Sequence, residues 1–240
     1  EIPLRLVGSE MCIRDRLGAP AASMAESLDF NYKVDRFADI EVLRYKVPDF
    51  EQLTTQQKEL VYYLTEAALY GRDILTDQNG KYNLAIRTTL ENIYKNYDGS
   101  KDDADYKGFV LYLKQVWFAN GIHHHYSTDK FTPQFSQAFF ETQVKKLSKK
   151  QLPLKKGQTV DAFLKEITPV IFDPTVMAKR VNQANGQDLI LTSANNYYEG
   201  VTQAEVEQFY AAMKKTDNPE EPISYGLNSR LVKRDGKLVE

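Results

Sequence analysis

The sequence has 240 residues, 42% of them hydrophobic and 27% charged, with a formal net charge of −2. This length allows one large domain or two small ones, each with a packed core. The balanced charge argues against a nucleic-acid-binding surface, and no apolar run has the roughly 18 residues that a membrane span needs.

The first residues require separate treatment. The run EIPLRLVGSEMCIRDR, residues 1–16, resembles the translated read-through of a sequencing-library adapter. We therefore treat residues 1–28 as a non-native or disordered leader and residues 29–240 as the protein itself. The single cysteine, Cys12, lies in this leader, so the rest of the chain has no disulfide and no thiolate zinc site. A cytoplasmic location is favoured; a periplasmic one would require a signal peptide upstream.

The first predicted elements are a strand and a long helix. Asp39 to Val47 is rich in Ile, Val and Tyr and ends at Pro48, which is typical of a strand. Thr54 and Gln57 form a capping box that opens a helix. One apolar stripe follows at helical spacing: Leu60, Val61, Leu64, Ala67, Ala68 and Leu75. Gly71 lies within this helix, and its residue type predicts close packing against a neighbouring helix.

The remaining elements are mostly helical. Apolar spacing, caps and turn residues predict helices at Tyr82–Tyr97, Asp103–Ala119, Thr132–Leu147, Val160–Ile167, Asp173–Val181 and Thr202–Lys215. Strands are predicted at Leu189–Thr192, Leu227–Lys233 and Lys237–Glu240, the last two joined by an Asp235-Gly236 hairpin turn. The sequence therefore predicts an α+β fold in which a helical layer precedes most of the strands.

The stretch from Trp117 to Phe131 contains the only tryptophan and all three histidines. Trp117 follows an apolar helical pattern, so we expect it to be a buried core residue. In an extended segment His123 and His125 would share one face. Consecutive histidines lack the i, i+4 spacing of a helical zinc site, and no glutamate stands at the required offset. Residues that line a polar surface or cleft are the preferred interpretation.

Other catalytic patterns are absent from the sequence. There is no G-x-S-x-G nucleophile motif, no cysteine nucleophile outside the leader and no glycine-rich phosphate loop. Spacing and composition alone thus predict an α+β domain with a histidine- and tyrosine-rich segment and no active site.

A resemblance to a known protein family adds an expected function to this predicted fold. The resemblance extends over residues 29–240. The runs that carry it are residues 39–48 (DIEVLRYKVP), 59–75 (ELVYYLTEAALYGRDIL), 117–131, 169–183 (PVIFDPTVMAKRVNQ) and 223–232 (ISYGLNSRLV). The chain resembles the N-terminal part of the dipeptidyl peptidase III family, in its bacterial, Bacteroides-type branch. Members are zinc exopeptidases that release dipeptides from the N-termini of short peptides, with two lobes around a cleft.

The resemblance implies that this chain is part of the lower lobe, with an incomplete mixed β-barrel core. The family's H-E-x-x-G-H zinc motif and its further glutamate ligand do not occur in this sequence. The expected cofactor is therefore zinc in the full-length enzyme, with ligands outside this chain and none bound by the fragment. The expected partners are short peptides and the remainder of its own chain. The resemblance places Asn120, Gly121, His123, His125 and Tyr126 in a loop that contacts bound peptide.

Two other hypotheses remain open from the sequence. The chain is alternatively a non-catalytic peptide-binding module that folds and functions as it stands. A third interpretation is a metal binder built on His123 and His125. The peptidase hypothesis predicts that the chain alone is inactive, because it lacks the zinc motif.

Overall fold

A computed structural model describes residues 30–214, 218, 220, 226 and 229–240. The predicted leader, residues 1–28, lies outside these residues, as does the start of the predicted strand Leu227–Lys233. The chain divides into two units, Glu1–Glu59 and Leu60–Glu240. The described part is mixed α+β, which confirms the predicted fold class, and its strands form small sheets with no closed barrel.

The described residues contain six helices and five strands. The helices are α1 Thr55–Asn79, α2 Asn83–Asn96, α3 Ala104–Ala119, α4 Gln137–Lys146, α5 Val160–Phe172 and α6 Gln203–Lys214. The strands are β1 Lys33–Phe37, β2 Ile40–Leu43, β3 Tyr198–Glu199, β4 Leu231–Arg234 and β5 Lys237–Val239. Across the part of the chain that is described, no helix combines the length and apolarity that a membrane crossing needs.

The first unit is built on a hairpin of β1 and β2. The strands are antiparallel, and the Lys33 ammonium lies 2.9 Å from the Glu41 carboxylate across them. The strand predicted at Asp39–Val47 is therefore present but shorter, and its partner β1 was not predicted. The predicted capping box at the start of α1 is confirmed, since the Gln57 amide N–H donates to Thr54 Oγ1 (3.3 Å) and the Thr54 N–H to Gln57 Oε1 (2.9 Å).

The core of the second unit is formed by α2, α3, α4 and α5. It is rich in phenylalanine, and its most deeply buried members include Ile86, Leu90, Phe109, Leu113, Val116, Phe140, Ile167 and Ile171. Most of the apolar residues predicted to lie inward on the second and third helices face this core, but Tyr94 of the second is 45% exposed. Asp103 caps α3 by accepting the Tyr106 N–H (2.9 Å). The second unit also contains a small sheet in which β4 pairs parallel to β3 and antiparallel to β5.

Two predicted helix boundaries are wrong. The fourth helix begins at Gln137 rather than near Pro133, because Ser136 is the N-cap and accepts the Phe139 N–H (3.1 Å). Ser136 is itself held by Asp105 of α3, at 2.7 Å to the hydroxyl. The fifth helix continues through Pro169 to Phe172, where the proline omits one backbone hydrogen bond near the helix end.

Two other predicted elements do not form. Asp173–Val181 is not a helix: Asp173 Oδ1 accepts the Thr175 N–H (2.8 Å) in a local turn, and Lys179 then forms an isolated bridge with Asp129. Leu189–Thr192 is not a strand, because the Asp188 carboxylate accepts the N–H groups of Ile190 and Leu191, both at 2.9 Å, and fixes a turn. In both places a local aspartate hydrogen bond competes with regular structure.

The apolar side chains predicted to be buried on α1 and at the end of α3 are exposed. Leu60 and Leu64 are 58% and 61% exposed, and a Cβ added to Gly71 would have no neighbour within 4 Å. The expected close packing at Gly71 is therefore absent from the described structure. Trp117 is 42% exposed, which makes the core assignment wrong. Its indole N–H donates to Glu91 on α2 (2.9 Å).

Candidate functional site

The stretch after α3 leaves the helix through a sharp turn. Asn120 adopts a left-handed conformation (φ 51°), which asparagine tolerates better than most residues, and it ends α3. Gly121 follows with φ 149°, and a Cβ at this position would lie 2.3 Å from Asn83 Nδ2. Glycine is therefore required here. These two residues fix the direction in which the chain leaves the helix.

Residues 120–131, hereafter the histidine loop, fold back on themselves. The N–H of Phe131 donates to the Ile122 carbonyl (2.9 Å), and that of His124 to the Asp129 carbonyl (2.8 Å). His124 Nδ1 accepts two backbone N–H groups, from Tyr126 and Ser127, both at 3.1 Å. The segment is therefore not extended throughout, because the His124 ring stabilises a tight turn at its centre.

His123 lies inside the protein. It is 2% exposed, and its Nε2 donates to the Met177 carbonyl at 2.7 Å. A carbonyl only accepts, so Nε2 carries the proton, and the buried Nδ1 has no hydrogen-bond partner among the described residues. Burial lowers the pKa of this imidazole to about 4. His123 is therefore neutral at physiological pH and holds the loop to a neighbouring segment.

That neighbouring segment, residues 176–181, runs beside the histidine loop and is hereafter the bracing segment. The Lys130 N–H donates to the Ala178 carbonyl (3.0 Å), and the Arg180 N–H donates to the Thr128 carbonyl (2.8 Å). Lys179 pairs with Asp129 at 2.9 Å. These contacts hold the returning edge of the loop, residues 128–130, against an ordered segment.

Lys130 joins the loop to the end of α5. Its ammonium donates to the carbonyls of Val170 (3.1 Å), Val176 (2.6 Å) and Asp173. Carbonyls at a helix C-terminus carry partial negative charge, which favours a cation there. Partial burial lowers the pKa of this lysine. The charge thus helps to position the histidine loop from within.

The tip of the loop presents aromatic and imidazole rings at the surface. The His125 ring packs edge-on against Phe118 of α3 and against Tyr126, with centroids 5.0 and 5.3 Å apart. Tyr126 is 80% exposed, and Phe118 is partly exposed. Rings of this kind offer large contact areas with few rotatable bonds. We call Phe118, His125 and Tyr126 the ring cluster.

The five residues predicted from the sequence therefore divide into two groups. Asn120, Gly121 and His123 shape and anchor the loop, and the side chain of His123 is buried. Tyr126 lies at the surface, where a ligand can reach it, and the His125 ring is half-buried beside it. Sequence reasoning missed the anchors Lys130 and Arg180, because they occupy irregular segments with no period or motif to mark them.

The described residues do not fit a zinc site. No group of three or more His, Cys, Asp or Glu side chains is placed to hold a metal ion within the described part of the chain. Of the loop histidines, His123 is buried against Met177, and His124 Nδ1 is used by backbone N–H groups. A separate concavity of about 590 Å³ lies between α4 and α5, with Glu141, Lys145, Asp161 and Lys165 among its lining residues. None of the five predicted site residues lines it.

Neither a scan against protein-family models nor a search of curated proteins finds a match to this chain. The fold and the site thus define a mixed α+β protein with a braced, ring-bearing surface loop.

Proposed function

We propose that this chain is the N-terminal portion of a zinc-dependent dipeptidyl peptidase and supplies scaffold and one wall of its peptide cleft. The main support for the proposal is the ring cluster on a loop whose returning edge is braced by residues 176–181. A peptide in an extended conformation needs apolar and aromatic surface for its side chains and a rigid wall to lie against. The residue runs that resemble dipeptidyl peptidase III add the reaction class.

The exposed stripe of α1 gives separate support. Leu60, Leu64 and Leu75 are all more than 40% exposed and lie on one side of the helix. Contiguous apolar surface of this kind on a soluble protein marks an interaction surface. In a two-lobed enzyme this stripe would pack against further parts of the same polypeptide. The zinc ion and its ligands would also belong to those parts.

A second candidate function is a non-catalytic peptide-binding module. The packed core of α2 to α5 favours it, since Phe109, Leu113, Val116 and Phe140 are fully buried without any additional protein. A unit with such a core has the means to fold by itself. It would use the same ring cluster to bind peptide.

Both candidates predict peptide binding at the loop, which calorimetry on the 240-residue chain can measure. Tyr126→Ala removes an exposed ring from the proposed wall and should weaken binding of a tetrapeptide about tenfold, a typical cost for an aromatic contact residue. Tyr70→Ala is the matched control, because Tyr70 on α1 is 82% exposed and Tyr126 80%. Equal effects of the two substitutions would contradict a peptide site at the loop.

A hydrolysis assay tests the peptidase proposal. The chain alone should not cleave dipeptidyl-naphthylamide substrates, because the zinc motif of the family is absent from its sequence. Turnover that a chelator abolishes and zinc restores would contradict this. A reading frame that continues to an H-E-x-x-G-H motif would support the peptidase over the binding module. A folded, saturably binding protein encoded without such a motif would favour the module.

A further inference from the structure

Arg180 lies at the centre of the bracing segment, and its backbone is held from two sides. Its N–H donates to the Thr128 carbonyl (2.8 Å), and its carbonyl accepts the Asn195 N–H (3.2 Å). The side chain therefore starts from a fixed position between the histidine loop and the residues around 195.

The guanidinium joins the loop to the end of α1. Nη2 donates to the His125 carbonyl (3.1 Å), and Nη1 donates to Asn79 Oδ1 (3.2 Å). Asn79 in turn donates to the Asn120 carbonyl at 3.1 Å. Both acceptors of Arg180 are neutral. A guanidinium has five N–H donors in a planar fork, so these two bonds leave several donors available.

Arg180 differs from other partly buried arginines in lacking a carboxylate partner. Arg87 pairs with Asp73 and Glu91, and Arg230 pairs with Glu199. None of the ion pairs between described residues includes Arg180. Burial lowers the pKa of its guanidinium, and no carboxylate opposes that effect. A partly buried cation without a counter-ion is costly unless an anion completes the site.

A second donor lies near this cation. Tyr197 comes two residues after Asn195, whose N–H donates to the Arg180 carbonyl (3.2 Å), so its backbone lies beside the bracing segment. A tyrosine hydroxyl is protonated at neutral pH, and burial raises the pKa of Tyr197 further, so this hydroxyl can donate a hydrogen bond. The His125 carbonyl that Arg180 binds precedes Tyr126, the exposed ring of the loop tip. The cation therefore binds the loop backbone directly before Tyr126.

We propose that Arg180, assisted by Tyr197, recognises a carboxylate of the peptide that lies against the ring cluster. This inference rests on the proposed function, because it names a further feature of the same peptide. The guanidinium would satisfy its charge in the complex, and the loop would couple carboxylate binding to the position of Tyr126. Two carboxylates fit this chemistry: the C-terminus of a short peptide and an acidic side chain.

The test compares three peptides by calorimetry on the 240-residue chain: tetra-alanine as free acid, its C-terminal amide, and the amide of Ala-Ala-Ala-Glu. The free acid should bind about tenfold more tightly than the alanine amide, as expected for a charge-assisted hydrogen bond to arginine. Tight binding of the glutamate amide would assign recognition to carboxylates in general, and weak binding would assign it to the C-terminus.

Variants identify the residue responsible. Arg180→Met should remove the preference for acid over amide, and Tyr197→Phe should reduce it while leaving the guanidinium in place. Thr128→Ala is the control for loosening of the loop, because it removes the Thr128 Oγ1 hydrogen bond to the Val181 carbonyl (3.0 Å) without touching the guanidinium. It should weaken both peptides alike and leave the ratio unchanged. Circular dichroism verifies the fold of each variant, and Tyr197→Phe carries the test where Arg180→Met does not fold.

The outcomes separate the two proposals. An acid-to-amide ratio near one together with equally weak binding of the glutamate amide, or a preference for carboxylate that both variants retain, would overturn the role of Arg180 and leave peptide binding intact. A folded chain that binds none of the three peptides would overturn the proposed function as well.

Discussion

Helices α1 and α3 carry similar apolar patterns and have opposite surroundings. In α3, Phe109, Leu113 and Val116 are completely buried against α2, α4 and α5. In α1, Leu60 and Leu64 recur at the same spacing and are mostly exposed. Close contacts of α1 are concentrated near its end, where Arg87 donates to Thr76 Oγ1 (3.1 Å). Periodicity thus predicts that a helix has an apolar face, and complementary surface elsewhere decides whether that face is buried.

The largest expected difference between the helices comes from truncating leucines. Leu113→Ala in α3 removes a fully buried side chain and should lower the free energy of unfolding by about 3–4 kcal/mol, from lost burial and the cavity that remains. Leu64→Ala in α1 is the matched change at an exposed position and should cost less than about 0.5 kcal/mol. Urea denaturation of both variants measures the difference. Similar losses would mean that α1 is packed as tightly as α3.

The second test adds a methyl group to α3. A Cβ at Gly108 would lie 1.8 Å from the Gln134 carbonyl oxygen, a backbone atom that cannot move without shifting the segment before α4. Gly108→Ala should therefore cost roughly 3 kcal/mol, at the upper end for overpacking. Thermal unfolding followed by circular dichroism would show the loss. A variant of unchanged stability would mean that α3 and this segment are not in close contact.

Locally encoded features could be predicted from the sequence. The capping box at Thr54 and Gln57 and the box at Thr202 and Glu205 involve residues three apart, and both form. The cap at Asp103 is equally local. Helices that combine such caps with an apolar period were therefore located to within a few residues.

Features that depend on distant partners could not be predicted. The position of His123 is set by the Met177 carbonyl, and that of the His125 backbone by Arg180, both more than fifty residues away. Trp117 has an apolar period like that of its buried neighbours, but it lies where α2 offers Glu91 and Tyr94 instead of a core. No local pattern encodes which surface another segment will present.

The buried residues of the second unit include a titratable group, the imidazole of His123. Its pKa is lowered from 6.5 to about 4 by burial, so the unfolded chain binds the proton more readily. The titration of His123 therefore leaves the free energy of unfolding unchanged above about pH 6.5 and lowers it as the pH falls towards 4. Between about pH 6.5 and pH 5 the loss should be roughly 2 kcal/mol.

Urea denaturation at several pH values measures this dependence. His123→Gln removes the titrating group and should flatten the profile across that interval. Carboxylates such as Asp129 and Glu205 contribute mainly at lower pH, because hydrogen bonds from their lysine partners lower their pKa values. An unchanged profile in the variant would show that His123 is exposed to solvent in the folded protein.

The smallest expected effect is a gain, at Gly71 of α1. The residue lies in the middle of a helix, where glycine is less favourable than alanine by about 1 kcal/mol. An added Cβ meets no atom within 4 Å, so Gly71→Ala should raise the free energy of unfolding by about 0.5–1 kcal/mol in the 240-residue chain. Urea denaturation of Gly71→Ala and of Gly108→Ala should show changes of opposite sign in the free energy of unfolding, although the substitution is the same in both helices. In a longer protein that covers the stripe, the gain at Gly71 should shrink or reverse, because a partner helix would then approach this glycine. Loss of stability in the 240-residue chain itself would show that α1 already has such a partner, for example a second copy of the chain.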